Sequence, residues 1–378
     1  MMKKILLVSH RGYMDGGAML AFCDVITYLK ERYQLTVLIP CKGDFSEWLE
    51  KNKIEYIILK SHPCVVDRSI SIKGKAKFMI NGLSDYLEVL RHKNRFSDYD
   101  LIYTNTRATL IGCYLSKLLH VPHVLHCREM ISIGNDWLTL PWTAKMLNNY
   151  TNKVLVISKA MLNNTKDIDK EKMKLIYDGV SYKGELDCIS DFTNKSKFRI
   201  LMAGSVTPAK NQMDIICAVG QLKKRNIQVD LIVAGQISSS YQKYYNKLQN
   251  QIKKDDIEGS VKFLGVVKDM KSLRKTVDFE VMCSKFEAFG RVTVEALRSG
   301  KLFIGANTGA TSEIVEDGIT GYVYPVGNYK KLADIIEYCI NNSEKSNQIC
   351  NNAYEILNKK FKNEQMLAGI ENVIKQEI

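Results

Sequence analysis

Long apolar runs are missing from this sequence, and so are the paired cysteines of zinc sites. No stretch of the 378 residues approaches 18 uncharged apolar residues, so the sequence predicts no transmembrane helix. The ten cysteines form no C-x-x-C pair, which argues against zinc and favours reduced core cysteines in a cytosolic protein. The first eight residues contain an apolar run of only four, Ile5–Val8, which predicts a buried strand rather than a signal peptide.

Two further signatures are absent or misplaced, and each removes a class of site. The G-x-G-x-x-G fingerprint of dinucleotide-dependent oxidoreductases does not follow the first strand. Asp98 and Asp100 have the D-x-D spacing of some divalent-cation sites. They precede a strand, however, and so lie away from the carboxyl ends of the strands, where open α/β sheets bind ligands. The sequence therefore predicts a turn at Asp98–Asp100 and no metal or dinucleotide cofactor.

The composition is typical of globular proteins, with an excess of positive charge. Hydrophobic residues make up 46% and charged residues 25% of the chain, and the formal net charge is +13. Basic residues concentrate in the first half, at Arg68, Lys73–Lys77 and Arg91–Arg95. Nucleic acid, an anionic membrane surface and an ordinary lysine-rich solvated surface all explain such an excess. Because no arginine-aromatic RNA-binding motif accompanies the cluster, we favour a membrane surface or an anionic substrate and expect no nucleic-acid partner.

Strands and helices alternate along the whole chain, which predicts two α/β domains built on doubly wound parallel sheets. Residues 1–182 form the first predicted domain, 183–198 a polar linker, 199–360 the second domain and 361–378 an amphipathic C-terminal helix. Residues 64–97 predict a long, basic and mostly helical segment. The predicted strands are 4–9, 34–40, 56–59, 100–105, 121–126 and 153–158, then 199–203, 229–234, 261–264, 279–283, 302–305 and 322–323.

One segment of the second domain combines an apolar strand, a glycine loop and a helix. Asp278–Cys283 is the strand, Glu287 lies in the loop, Gly290 leads into the helix, and Glu295 lies about one turn inside it. A helix N-terminus approached by glycine binds anions. A carboxylate on each side of that anion site can accept hydrogen bonds from sugar hydroxyls. The segment therefore suits a nucleotide-sugar, with two solvated surface glutamates as the alternative.

The pair Glu287 and Glu295, an E-x7-E motif within E-A-F-G-R-V-T-V-E-A-L, resembles the signature of retaining glycosyltransferases of family 4 ("glycosyl transferases group 1"). The resemblance implies the GT-B fold, with two Rossmann-like doubly wound parallel-sheet domains facing a central cleft and the final helix returning to the first domain. In that family the first glutamate lies near the donor sugar, the second binds the ribose hydroxyls, and the backbone between them holds the diphosphate. The resemblance also implies a metal-independent enzyme in which stabilisation of the departing diphosphate is the main catalytic effect.

Other segments resemble the donor site of this family. Gly204–Gln212 resembles its G-R-x-x-x-x-K segment, in which Lys210 matches the phosphate-binding lysine; a surface lysine before a helix is the alternative. Ser205 stands where many members carry arginine, so that cation is missing or supplied elsewhere, with Arg291 as the candidate. Asn307–Glu313 resembles the glycine loop that closes the donor site. The predicted donor-binding residues are Gly16, Gly17, Gly204, Ser205, Lys210, Gly235, Gln236, Val266, Glu287, Phe289, Gly290, Arg291, Val292 and Glu295.

In the first domain the strongest candidate is His126, at the end of a predicted strand. Family members often place a histidine here, so the resemblance implies a hydrogen bond to the donor sugar or a role in positioning the acceptor. A satisfied buried histidine is the alternative. Arg128 and Glu129 either pair with each other or orient the acceptor. We assign catalytic roles to His126, Lys210 and Glu287, the last as a contact to the sugar.

These features predict a retaining, metal-independent glycosyltransferase that moves a sugar from a nucleotide-diphosphate sugar to a glycan or lipid-linked acceptor. By family analogy it acts in bacterial cell-surface polysaccharide synthesis, in the cytoplasm or on the inner face of the cell membrane. An anionic membrane surface is therefore an expected partner. The alternatives are a nucleotide-sugar epimerase or hydrolase of the same fold, and a non-catalytic basic nucleic-acid-binding protein.

Overall fold

Short runs of buried aliphatic residues recur along the chain and pair as two parallel sheets in a computed structural model, which describes residues 2–14, 16–130 and 137–378. The chain divides into two compact units. The first comprises Met1–Gly179 and Asn363–Ile378, and the second comprises Val180–Lys362. Each unit has its own sheet and its own apolar core. Two units built on parallel α/β sheets are what the sequence predicts.

The first unit is built on a seven-stranded sheet with the order β3-β2-β1-β5-β6-β8-β9 and parallel pairing throughout. An antiparallel ribbon of β4 and β7 lies outside this sheet. The strands are β1 Lys4–Val8, β2 Gln34–Ile39, β3 Glu55–Ile58, β4 Val65–Asp67, β5 Leu101–Thr104, β6 His123–Cys127, β7 Trp137–Thr139, β8 Lys153–Val156 and β9 Met173–Leu175. The helices are α1 Gly17–Leu29, α2 Asp44–Lys51, α3 Ile72–His92, α4 Ile111–Leu119, α5 Thr143–Tyr150, α6 Lys159–Asn164 and the C-terminal α14 Asn363–Glu377.

The second unit has a six-stranded parallel sheet with the order β12-β11-β10-β13-β14-β15. Its strands are β10 Phe198–Ala203, β11 Val229–Ala234, β12 Val261–Gly265, β13 Phe279–Met282, β14 Leu302–Ala306 and β15 Tyr322–Tyr324. Its helices are α7 Gln212–Lys224, α8 Gln242–Lys254, α9 Met270–Lys275, α10 Arg291–Arg298, α11 Thr311–Ile314, α12 Tyr329–Asn341 and α13 Ser343–Leu357. The order reverses between β10 and β13, and such a switch point opens a crevice at the carboxyl ends of the two strands.

Three strands have no counterpart in the sequence prediction. The ribbon strands β4 and β7 have three residues each, and β9 is a three-residue edge strand. None of the three contains a buried residue, so the apolar pattern that marks a parallel strand is absent. The segment predicted as mostly helical from residue 64 begins with β4, and its helix starts at Ile72, after Ser71 accepts a hydrogen bond from the N–H of Gly74.

The segments that flank the second sheet and end the chain are packed in apolar cores. Residues 183–198 lie within the second unit, where the Phe192 ring packs 5.4 Å from Phe198 and 5.0 Å from Phe279. Helix α14 belongs to the first unit. Its residue Ile370 lies in the same core as Ile5 of β1, and the Tyr28 hydroxyl donates to Glu371 Oε2 at 2.7 Å. Among the described residues, no helix has the length and apolar character needed to cross a bilayer.

Candidate functional site

The carboxyl ends of β10 and β13, at the switch point of the second sheet, carry most of the predicted donor residues. The loop after β10 runs from Gly204 to Asn211, and the loop after β13 runs from Cys283 to Gly290. The two loops touch, because Lys285 N–H donates to the Ala209 carbonyl at 2.9 Å. Parallel pairing of β10 with β13 thus brings together segments about 80 positions apart in the sequence.

Glycines at the tips of β10 and β11 permit a backbone-to-backbone contact. Gly204 has φ of +142°, a region that other residues rarely adopt, and its N–H donates to the Ala234 carbonyl at 2.8 Å. A Cβ atom added to Gly235 would lie 2.0 Å from the Gly204 carbonyl oxygen. Any larger residue at position 235 would therefore displace the loop that leads to Lys210.

Lys210 and Glu287, both predicted catalytic residues, form an ion pair across the switch point. Lys210 Nζ lies 2.8 Å from Glu287 Oε2, and the two side chains are 30% and 12% exposed. Their partial exposure leaves the lysine accessible to a ligand while the carboxylate fixes its position. A cation held beside the loop that leads to a helix N-terminus is suited to binding a diphosphate.

The Glu287 loop is held from the other side by the segment after β14. Ala310 N–H donates to the Glu287 carbonyl at 2.9 Å, and Thr308 Oγ1 donates to the Ser284 carbonyl at 2.7 Å. Gly309 has φ of +54°, and a Cβ atom there would lie 1.9 Å from the Glu287 carbonyl oxygen. The segment predicted as a closing glycine loop therefore positions Glu287 through its backbone.

Two helix N-termini begin beside this ion pair. Helix α7 starts after Asn211 and helix α10 after Gly290, both residues in the left-handed region, with φ of 53° and 95°. Neither of these two cap residues donates or accepts a side-chain capping hydrogen bond in the described part of the chain. Thr293 Oγ1 is buried at the start of α10 and lacks a hydrogen-bond partner among the described residues. The uncapped N–H groups at these two helix starts offer donors to an anion.

The remaining predicted donor residues lie around the ends of β11 and β12. Gly235 and Gln236 follow β11, and the Gln236 carbonyl accepts a hydrogen bond from Val206 N–H at 2.9 Å. Val266 follows β12 and is exposed. Val292 packs on an apolar cluster formed by Leu201, Ala203, Ala234 and Val277. Phe289 is buried, with its ring 5.4 Å from that of Phe361, and Ser205 accepts a hydrogen bond through its carbonyl from Gln212 Nε2 at 3.0 Å.

A buried charged cluster beneath Glu295 was missed by the sequence reasoning. Arg274 on α9 is completely buried, and its Nε and Nη2 donate to the Glu280 carboxylate at 2.9 and 3.1 Å. Its Nη2 also lies 3.0 Å from Glu295 Oε2. The guanidinium stands over the Tyr182 ring, 5.2 Å from its centroid. The signal in the sequence was Glu280, a charged residue inside an apolar strand, which needs a buried cationic partner.

The charges of this cluster stabilise one another. Burial alone would lower the pKa of the Arg274 guanidinium, but the Glu280 and Glu295 carboxylates more than offset that effect and raise it. Burial raises the pKa of the Glu280 carboxyl, and Arg274 counteracts this increase. Arg274 thus links Glu280, on β13, to Glu295, the glutamate for which the family resemblance implies ribose binding.

In the first unit, the predicted glycine turn follows β1, whereas His126 lies within β6. Gly16, with φ of 83°, precedes α1, and Gly17 begins that helix; both are exposed. Asp15, in the same turn, lies outside the described residues. His126 on β6 is completely buried, and its Nδ1 lies 2.5 Å from the Tyr103 hydroxyl and 3.3 Å from Arg128 Nη2. His126 Nε2 lacks a hydrogen-bond partner among the described residues.

Arg128 and Glu129, the predicted acceptor-side residues, have different partners. Arg128 is buried; its Nη1 donates to Asp178 at 2.5 Å, and its Nε donates to the Asn105 side-chain oxygen at 3.0 Å. Glu129 Oε1 instead accepts a hydrogen bond from Thr106 Oγ1 at 2.5 Å. Burial raises the pKa of the Glu129 carboxyl. The ion pair of Arg128 is therefore with Asp178, which follows β9 in the chain.

Two buried histidines of β6 should make the first unit sensitive to acid. Burial lowers the pKa of His123 to about 4, and burial together with the Arg128 guanidinium lowers that of His126. Both imidazoles titrate below their unfolded pKa, so their contribution to stability is complete above about pH 6.5 and is lost as the pH falls. We expect His123 alone to reduce the free energy of unfolding by about 3 kcal/mol between pH 7 and pH 4.

Tryptophan fluorescence measures this loss, because all three tryptophans, Trp48, Trp137 and Trp142, lie in the first unit. Urea unfolding from pH 4 to pH 7.5 should show a shallower pH dependence in His123→Gln than in the wild type. The exposed His120, replaced by asparagine, is the matched control and should keep the wild-type slope. An unchanged slope in His123→Gln would show that this imidazole titrates normally.

The described residues offer no cluster of metal ligands. Within residues 2–14, 16–130 and 137–378, no group of three or more His, Cys, Asp or Glu side chains is arranged to hold a metal ion. The Asp100 carboxylate of the D-x-D sequence accepts hydrogen bonds from Lys3 Nζ and Lys4 N–H, both at 2.8 Å. These bonds explain Asp100 as a structural residue at the amino end of the sheet.

Comparison with known protein families identifies the class. Residues 16–183 match the model of Glycosyltransferase Family 4, and residues 190–356 match that of Glycosyl transferases group 1. The two ranges together cover most of both units. The chain therefore belongs to the group 1, family 4 glycosyltransferases and is a glycosyltransferase by enzyme class.

Individual relatives agree with this assignment. An uncharacterised glycosyltransferase of Methanocaldococcus jannaschii is 26% identical over 271 residues, covering 70% of this chain and 72% of that protein. The N-acetyl-alpha-D-glucosaminyl L-malate synthase of Bacillus anthracis is 29% identical over 122 residues, 32% of each chain. Among solved structures, Anabaena HepE in complex with UDP and glucose superposes with a TM-score of 0.82 and 26% identity over 99% of this chain and 100% of that one.

Proposed function

We propose that the protein is a retaining, metal-independent glycosyltransferase that uses a nucleotide-diphosphate sugar, with a uridine nucleotide as the first candidate. The observation that carries the proposal is the Lys210–Glu287 pair, 2.8 Å apart, beside the uncapped N-termini of α7 and α10. Anabaena HepE, crystallised with UDP, with UDP and glucose and with UDP-glucose, supports the choice of donor.

In this proposal the protein supplies positive potential rather than a nucleophile. Lys210, the first N–H groups of α10 and Arg291 bind the two phosphates and stabilise the charge that develops as the diphosphate leaves. Glu295 accepts hydrogen bonds from the ribose hydroxyls, and Glu287 contacts the sugar. The acceptor hydroxyl attacks from the face that the diphosphate leaves, and a phosphate oxygen takes its proton, which retains the anomeric configuration.

The first unit is proposed to bind the acceptor, with His126, Arg128 and Glu129 as the candidate residues. A glycan or lipid-linked glycan at the inner face of a bacterial membrane is the proposed acceptor. A lipopolysaccharide core biosynthesis mannosyltransferase of Rhizobium leguminosarum, 24% identical over 133 residues, supports an acceptor of this kind. The exposed basic residues of α3, among them Lys73, Lys75 and Lys77, support a membrane location.

A thermal-shift panel of UDP, GDP, ADP and their sugars tests the donor site. A nucleotide present at 100 times its dissociation constant should stabilise the wild type by about 2.7 kcal/mol and raise its melting temperature. We expect this shift with one nucleotide, its loss in Glu295→Ala, and its retention in Glu258→Ala, an exposed glutamate away from the switch point. EDTA should leave the shift unchanged.

Other outcomes separate the alternatives. Absence of a shift with every nucleotide would refute the donor site. Breakdown or epimerisation of the nucleotide-sugar without an acceptor would favour the epimerase or hydrolase. Binding to DNA or RNA that weakens steeply with salt would favour the nucleic-acid-binding protein. Nuclear magnetic resonance of the product anomer then distinguishes retention from inversion.

A further inference from the structure

Helix α3 has one face packed against the first unit and one face exposed. Its buried residues include Phe78, Gly82 and Val89. Gly82 lets the helix approach closely, since a Cβ atom there would lie 2.5 Å from Leu140 Cδ1. This contact fixes the rotation of the helix about its axis. The side chains on the opposite face of α3 therefore point toward solvent.

That exposed face is a stripe of large aliphatic side chains. Ile80, Leu83, Leu87 and Leu90 are 65%, 55%, 50% and 40% exposed. Their spacing of three, four and three residues places them in one row, about 15 Å long at 1.5 Å per residue. Single exposed leucines are common on proteins, but a continuous row of four marks an interaction surface. We refer to these four residues as the α3 stripe.

Basic side chains flank the stripe at both ends, and the two carboxylates of α3 have partners within the first unit. Exposed basic side chains lie at both ends, at Lys73, Lys75, Lys77 and Arg91 within the helix and at Arg95 just after it. The Asp85 carboxylate is buried and accepts hydrogen bonds from His62 N–H at 2.8 Å and His62 Nδ1 at 2.7 Å. Glu88 lies 3.6 Å from Arg91 Nη1 and 3.2 Å from His92 Nε2. The surface therefore combines apolar side chains with an excess of positive charge.

We propose that the α3 stripe docks on an anionic lipid bilayer, with the four aliphatic side chains in the headgroup–acyl boundary and the surrounding lysines and arginines on lipid phosphates. An amphipathic helix with this combination lies in the plane of the interface. Nucleic acid offers no apolar surface to four aliphatic side chains. A second copy of the chain would bring the basic side chains of one α3 close to those of the other, so a bilayer with negative headgroups is the complementary occupant.

The proposal deepens the proposed function and rests on it only for the reason to be at a membrane, where a lipid-linked acceptor would be reached. Docking through the α3 stripe differs from purely electrostatic attraction, because hydrophobic insertion is not weakened by added salt. The Debye length shortens from about 10 Å at 0.1 M to about 3 Å at 1 M ionic strength, which screens lysine–phosphate attraction and leaves the aliphatic contacts.

Co-sedimentation with vesicles of phosphatidylcholine alone, or with 30% phosphatidylglycerol added, tests the surface in the full-length protein. We expect the wild type to bind the anionic vesicles at least tenfold more strongly than the neutral ones. Leu83→Gln/Leu87→Gln should lose tenfold or more of that binding at both 0.1 M and 0.5 M salt. Lys73→Gln/Lys77→Gln should lose it at 0.1 M and approach the wild type at 0.5 M.

Matched variants control for general changes in hydrophobicity and charge. Ile319→Gln/Val326→Gln removes exposed aliphatic side chains of the second unit, and Lys243→Gln/Lys247→Gln removes exposed lysines of α8. Both should bind vesicles as the wild type does. All variants should keep the wild-type melting temperature, which excludes misfolding as the cause of lost binding.

The proposal would be overturned if the wild type did not bind anionic vesicles, or if Leu83→Gln/Leu87→Gln bound them as strongly as the wild type. It would also be overturned if the wild type were a dimer in solution and this variant a monomer. Nucleotide thermal shifts on the same samples separate this proposal from the proposed function. Vesicle binding without a nucleotide shift would support the α3 stripe as a membrane surface and refute the donor site. A nucleotide shift without vesicle binding would support the donor site and refute the membrane surface.

Discussion

Arg274→Met is expected to lower the free energy of unfolding by about 3–5 kcal/mol, because it leaves buried carboxylates without their cation. The arginine is completely buried and bonds Glu280 at 2.9 and 3.1 Å and Glu295 at 3.0 Å. Methionine fills a similar volume, so the loss is one of charge and hydrogen bonds rather than of packing. Urea unfolding followed by circular dichroism, which reports on both units, measures the change.

The pH dependence of this loss identifies its cause. Burial already raises the pKa of Glu280, and removing Arg274 removes the main effect that lowers it. A carboxyl with a raised pKa contributes stability below its unfolded value, near 4.3, and loses it as the pH rises. The deficit of Arg274→Met should therefore be smaller at pH 4 than at pH 8. A deficit independent of pH would indicate lost packing instead.

Two further variants complete the test. Arg274→Met/Glu280→Leu replaces the buried pair by apolar residues and should recover most of the stability. Its affinity for the nucleotide donor should stay about tenfold reduced, since Glu295 still lacks the partner that fixes its position. Lys271→Met, on the same helix, removes an exposed ion pair with Glu185 and should cost less than about 1 kcal/mol. Full donor affinity in the double variant would show that Arg274 has only a structural role.

Lys210→Met is expected to reduce kcat/KM by about 10²–10³-fold, the range seen when one electrostatic stabiliser of a transition state is removed. The substitution removes the cation next to the proposed diphosphate site. It also leaves Glu287, whose Oε2 lies 2.8 Å from Lys210 Nζ, as an unpaired negative charge there. Both effects oppose the charge that develops on the leaving group. Initial rates with a nucleotide-sugar and an acceptor glycan measure the loss.

Conservative and distant substitutions make this result specific. Lys210→Arg keeps the positive charge and should retain more activity than Lys210→Met. It should not reach the wild-type activity, because a planar guanidinium fits a site for a compact ammonium group less well. Lys262→Met removes an exposed lysine of β12 and should act as the wild type does. If Lys210→Met lost only affinity for the donor, with kcat unchanged, the lysine would bind ground state and transition state equally.

The alternation of strands and helices was sufficient to predict the fold, because buried parallel strands appear in the sequence as continuous apolar runs. Twelve predicted strands match those of the two large sheets, and the GT-B prediction is confirmed. The ribbon strands β4 and β7 and the edge strand β9 were missed, since their residues are half exposed and carry no apolar run. Helix α3 was anticipated as a basic helical segment, but its start at Ile72 was set by the Ser71 cap.

For the candidate site, too, some features follow from the sequence and others only from the tertiary structure. The sequence by itself determined which residue types lie near the strand ends, because Gly204, Lys210 and Glu287 belong to the segments that follow apolar strands. Only the tertiary structure decided that Lys210 and Glu287 meet, since the pairing of β10 with β13 is a contact between distant segments. It also decided that Arg274 bonds Glu295 and that the α3 stripe faces outward. Local patterns specify which residues are apolar or charged, whereas burial and partners depend on how the sheets and helices pack.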